Sequence, residues 1–263
     1  MRGWQANVPR PRSIGIEVTS MASQILKYKA GNIELASQLF MPDGPSLYPA
    51  VLIFPGGSGL GEHYFDLARK LTSLGYAALA CDLYGNGQTM DKDLSKVMPI
   101  INRLTSDPAL IRIRARASLD AVRAVPQVNA ERVAAVGYCL GGVFALELAR
   151  SGGDIRAAIG IHTPVITASP ADAANIKAKI LVINGAEDHL VSEAQRAGFE
   201  KEMGDAKADW QMHVYGGVTH SFSIPDAAAF GRPDLNRYDR VAAARAWRST
   251  TDLLEDIFAD RED

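Results

Sequence analysis

Several short runs of the chain are apolar at nearly every position rather than at every second one. Residues 50–54, 76–81, 157–161 and 180–184 have this character, as does 132–136 after its leading arginine. Continuous apolar runs of that length suit parallel strands covered on both faces. Stretches with helical spacing of apolar positions separate them: about 62–74, 108–125, a run ending near 151, 192–203 and 237–258. Pro108 stands well as the first residue of its helix. Two β-like runs precede all of this, 25–29 and 33–40, split by Gly31-Asn32, a hairpin signal. Residues 210–215 alternate as a last strand. Residues 88–107 carry mixed charge and little periodicity, and read as an excursion over the carboxyl edge of the sheet, where a lid would sit. Strands alternating with helices predict an α/β chain. Its sheet should be doubly wound and mostly parallel, with antiparallel N-terminal strands and helices on both faces.

Composition narrows the picture by exclusion. The chain has 263 residues, suited to one large α/β domain, and a net charge of -2. That charge gives no reason to expect nucleic acid or an anionic membrane as partner. Two cysteines are too few for a disulfide framework or a thiolate metal site. The five histidines (63, 162, 189, 213, 220) show no metal-binding i, i+4 pair, so no cofactor is expected. Residues 1–20 lack periodicity and an apolar signal core, and read as a poorly ordered extension before a domain at 21–263. The expectation is a cytoplasmic protein, monomeric or weakly dimeric, acting on a small molecule.

Candidate chemistry sits at strand ends. Gly137-Tyr138-Cys139-Leu140-Gly141 joins an apolar run to a helix-forming run and has the Gly-x-nucleophile-x-Gly spacing of a nucleophile elbow, with Cys at its centre. Such a turn holds its central residue at positive φ, so small residues are needed two positions away on each side. The thiol then faces a helix N-terminus, which favours the thiolate. Pro55-Gly56-Gly57-Ser58-Gly59 lacks the Lys-Ser/Thr of a phosphate loop. It suits an oxyanion hole, with one N–H from Gly57 and the other from Leu140.

Asp188 follows the strand at 180–184, and His220 follows the strand at 210–215. Nucleophile, acid, histidine is the chain order of an α/β-hydrolase. Glu187 is a rival for the acid, and a helix-capping Asp or a loop His would be the structural readings. His162, at the end of the strand at 157–161, is a candidate substrate contact, as are Tyr84 and Phe222. Arg103, Arg112, Arg114, Arg116 and Arg123 fit a solvated helix face better than an anion site. Cys81 reads as a buried small apolar residue, separated from Cys139 by a strand.

Gly-Tyr-Cys-Leu-Gly-Gly, Gly-Ala-Glu-Asp-His-Leu-Val, Tyr-Gly-Gly-Val-Thr-His-Ser-Phe and Asp82-Leu83-Tyr84-Gly85 together resemble the signature segments of the dienelactone hydrolase family. The likeness covers about residues 30–258. It implies an α/β-hydrolase fold, a triad of Cys139, Asp188 and His220, and hydrolysis of an enol-lactone or another activated ester. A thioesterase or acyltransferase on the same triad, or a binding protein keeping the fold, are the alternatives. One departure stands out. Family members carry a Glu after the strand at 50–54 that pairs with the resting thiol; here the matching position is Gly56. Cys139 and His220 would then pair directly, and the thiol would be more open to oxidation.

Overall fold

A computed structural model describes residues 23–89 and 94–259. The proposed N-terminal extension lies outside the described residues. The strands are β1 (Ser23–Ala30), β2 (Ile33–Phe40), β3 (Tyr48–Phe54), β4 (Ala77–Ala80), β5 (Val128–Tyr138), β6 (Ala157–Ile161), β7 (Lys179–Gly185) and β8 (Trp210–Tyr215). They form one sheet in the order β1-β2-β4-β3-β5-β6-β7-β8. The β1–β2 hairpin turns at Gly31, whose positive φ a Cβ would resist. β2 runs antiparallel to β4, and every later pairing is parallel. This is an α/β-hydrolase-type sheet. β3, β4, β6 and β7 are buried almost throughout, as their unbroken apolar runs demand.

The helices are α1 (Glu62–Ser73), α2 (Leu94–Thr105), α3 (Pro108–Arg123), α4 (Leu140–Arg150), α5 (Glu193–Asp205) and α6 (Arg240–Phe258). α1 and α6 cover one face of the sheet through Leu67, Leu71, Ala246 and Leu254. α3, α4 and α5 cover the other through Leu119, Phe144 and Phe199. α4 is buried along its whole length, which holds the turn before it rigid. Asp107 caps α3 ahead of Pro108, and Asp239 caps α6, which begins three residues later than its periodicity predicts. Among the described residues no helix is long and apolar enough to cross a membrane.

Two expectations need correction. Residues 94–105 form α2, a helix with Pro99 inside it. Val97, Ile101 and Leu104 stand at helical spacing, with Val97 and Leu104 buried, while Met98 and Ile100 are exposed; the period is present, and Pro99 and the charged residues before it obscure it. The helix does cover the carboxyl edge of the sheet, as the lid position required. The arginines of α3 are not all solvated: Arg112 ion-pairs with Glu147 and Asp172, and Arg114 donates to the Leu83 carbonyl. Arg112 and Arg114 are thus held by protein partners.

Candidate active site

β5 delivers Cys139 to the N-terminus of α4 with φ 51° and ψ -117°. Few conformations of an L-residue are so unfavourable, and the surroundings must enforce it. They leave no room for side chains on either side. A Cβ on Gly137 would lie 2.0 Å from the Gly141 carbonyl oxygen, and one on Gly141 2.0 Å from that of Phe54. The turn is also tied down: Cys139 N–H donates to Ile161, and the Thr163 hydroxyl donates to the Cys139 carbonyl at 2.8 Å. Thr163 is fixed in turn by Asn184. Neither Thr163 nor Asn184 has a sequence signal, because their contacts join three separate strand ends.

His220 and Asp188 converge on this turn. His220 Nδ1 donates to Asp188 Oδ2 at 2.8 Å, and Leu190 N–H donates to Asp188 Oδ1 at 2.9 Å. Both side chains are buried, whereas Glu187 is exposed and takes no part. The His220 loop is held by backbone bonds to Leu235 and Arg237. The Cys139 thiol lines the same cleft as His220, and His220 and the Leu140 N–H both favour its charged form. Burial opposes charge on both partners. Their mutual attraction and these neighbours outweigh it. The thiol is held below its ordinary value, and the imidazole, supported also by Asp188, is held at about 10. Both shifts favour the thiolate–imidazolium form of the pair.

Gly56 and Gly57 face the thiol from β3. A Cβ at Gly56 would lie 3.6 Å from the Cys139 Cβ and 3.0 Å from the Tyr64 hydroxyl. Position 56 thus points at the nucleophile, as the family comparison required, and the phenol of α1 stands beside it. The Gly56 N–H donates to the Tyr64 hydroxyl at 2.8 Å, and the Tyr84 hydroxyl donates to the Gly57 carbonyl at 2.6 Å. Two tyrosines therefore hold the glycine turn that faces Leu140. Tyr64 was not among the sequence candidates, since its role follows only from α1 packing under the turn.

The remaining candidates divide. His162 lines the cavity but is fully buried, with φ 39°. Its Nε2 is bonded to Ser223 at 2.9 Å, and its ring stands edge-on to His220 at 5.1 Å. Burial, and then the neighbouring His220 charge, drive it well below the usual histidine range, so it is neutral. Phe222 is a wholly buried core residue packed on His162, and Tyr84 braces the turn; neither lines the cavity. Cys81 is buried, free and not adjacent to Cys139. Among the described residues no group of three His, Cys, Asp or Glu could hold a metal ion.

A cleft of about 680 Å³ opens over Cys139 and His220, walled by α2, the loop after β6 and the turn after β7. Its shape and its convergent polar groups suit a small-molecule site.

Comparison with known proteins agrees with this geometry. The sequence profile of the dienelactone hydrolase family matches residues 35–258. A dienelactone hydrolase-like promiscuous phosphotriesterase from metagenomic libraries has 34% sequence identity and a TM-score of 0.85, over 90% of this chain and 99% of its own. A probable 2-oxo-3-(5-oxofuran-2-ylidene)propanoate lactonase of Bradyrhizobium is 28% identical over 77% of this chain and 81% of its own. A putative carboxymethylenebutenolidase of Yersinia pestis is 27% identical over 72% and 74%. On sequence, sheet topology and the placement of its signature segments, the chain belongs to the dienelactone hydrolase family and is, with that family, a carboxylic ester hydrolase.

Proposed function

We propose that the protein hydrolyses small esters or lactones through a Cys139–His220–Asp188 triad and an acyl-enzyme. The observation that carries this reading is a thiol on a left-handed elbow, sharing one cleft with a histidine whose Nδ1 is bonded to a buried aspartate. In the first half-reaction the Cys139 thiolate attacks the acyl carbon. The oxyanion is stabilised by N–H groups of Leu140 and Gly57. The intermediate collapses to a thioester as the imidazolium of His220 gives its proton to the leaving alkoxide. In the second half, neutral His220 takes a proton from water, hydroxide adds to the thioester, and acid and thiolate are released. Asp188 orients the ring and stabilises the imidazolium throughout.

Here Gly56 removes any competing carboxylate, so the thiolate is available before substrate arrives. The names of the lactonase and phosphotriesterase relatives put a lactone and an activated phosphotriester on the panel of substrates worth trying. The test is hydrolysis of p-nitrophenyl acetate, a dienelactone and a p-nitrophenyl phosphotriester by wild type and Cys139→Ala. Turnover of at least one by wild type, falling about 10⁴-fold or more in the variant, is the expected result. Equal rates in the two proteins would remove Cys139 from the chemistry.

A further inference from the structure

The charge around the cleft has a sign, and it bears on the substrate. The walls are apolar: Met98 and Ile101 of α2, Ile111 of α3, Val143 of α4, and Pro164 and Ile166 after β6. Among the described residues that line it there is no lysine or arginine. Its charged lining residue outside the triad is Glu147 of α4. The guanidiniums behind that carboxylate are already committed. Arg112 bonds Glu147 at 2.8 Å and Asp172 at 2.7 Å. Arg150 bonds Glu147 at 3.2 Å and Glu202 at 2.7 Å. Two cations facing three carboxylates leave one negative charge in excess. The triad adds a second excess, since its thiolate and carboxylate share one imidazolium.

The rim carries an independent signal. Ile166, Met98 and Leu190 all line the cleft, yet they are 57%, 41% and 38% exposed. They lie on different elements and together frame the mouth. Large apolar side chains left open around a concave site are surface that a bound apolar group would cover.

We infer that this cleft selects esters whose acyl and alcohol parts are neutral and apolar, and discriminates against substrates bearing a free carboxylate. The inference rests on the hydrolase reading above. A carboxylate entering the cleft would lose its water, meet no cation among the described lining residues and face net negative charge. An aliphatic group of the same length meets only apolar walls.

A matched pair isolates the effect: p-nitrophenyl hexanoate against the mono-p-nitrophenyl ester of adipic acid, which places a carboxylate at the far end of a six-carbon chain. The expected kcat/KM ratio favours hexanoate by about 100-fold, the size of one charge left unpartnered. Ile166→Lys adds a cation at an exposed rim position where folding is not at stake, and should narrow the ratio about tenfold. Equal turnover, or preference for the adipate ester, overturns the inference while leaving the hydrolase reading intact. A ratio unmoved by the rim lysine removes its electrostatic basis. Failure of wild type to turn over either ester overturns the inference. If wild type and Cys139→Ala are also alike on the wider substrate panel, the hydrolase reading falls with it.

Discussion

Two charged clusters occupy the two ends of α4, and they are built to opposite rules. At the C-terminal end Arg150 is 1% exposed and uses all three guanidinium nitrogens: on Glu202, on Glu147 and on the Val165 carbonyl. Its backbone is helical and unstrained. At the N-terminal end Cys139 sits in a left-handed conformation, with His162 and Ser221 nearby at φ 39° and 57°. Its thiol lines the cleft. Both clusters hold charge inside the protein. One is saturated by fixed partners, which makes it structure. The other leaves a thiol on a strained backbone facing the cleft, as the proposed chemistry needs.

That contrast is open to direct attack. Cys139→Ala should abolish esterase activity and leave thermal stability nearly unchanged, because it keeps the Cβ and the backbone as they are and removes one sulfur. Arg150→Met should do the reverse. It strands Glu202 in the interior and leaves Glu147 with Arg112 alone, and should cost about 3–5 kcal/mol. Thermal denaturation and ester hydrolysis on both variants separate the roles. If Arg150→Met kept full stability and lost activity, the two ends of α4 would not differ as described.

The pH profile sharpens the comparison at the catalytic end. The folded value of His220, about 10, lies above its ordinary 6.5. Its contribution to stability is complete below 6.5 and is lost as pH rises through about 10. Cys139 is shifted the other way, down from 9.0. Its contribution is present above 9.0 and is lost as pH falls through the depressed value. The ion pair spans the interval between the two folded values. kcat/KM should therefore be flat across that interval and fall above about 10. A profile that keeps rising above about 10 would contradict the paired resting state. Iodoacetamide at neutral pH should modify Cys139 and spare Cys81, whose thiol is pushed up by burial.

The smallest effect belongs to the turn opposite the thiol. Tyr64→Phe removes the acceptor of the Gly56 N–H and should cost about 1 kcal/mol, or about fivefold in kcat/KM. An unchanged rate would mean that packing alone holds the turn.

What was legible in the sequence is what is dictated locally. Gly137 and Gly141 had to be small because of the φ of the residue between them, so the elbow could be read without knowing its neighbours. The order Cys139, Asp188, His220 follows from parallel strands all ending on one edge. Helix α2 carries its stripe in Val97, Ile101 and Leu104, and went unread because Pro99 inside it and the mixed charges before it argue for a loop. Tyr64, Thr163 and the Arg150 cluster were not legible either. Their partners are brought together only by the sheet order, as Glu202 is to Arg150 across 52 residues. Phe222 went wrong for the converse reason: a residue two positions past the histidine turns back into the core.

The central claim is that Cys139 carries the acyl group. Rapid quenching of wild type with p-nitrophenyl hexanoate, followed by peptide mass spectrometry, tests it directly. The account predicts one acyl group as a thioester on the peptide containing Cys139, formed and discharged at rates compatible with turnover, and absent from Cys139→Ala. Acylation of a different residue at the rate of turnover would contradict it.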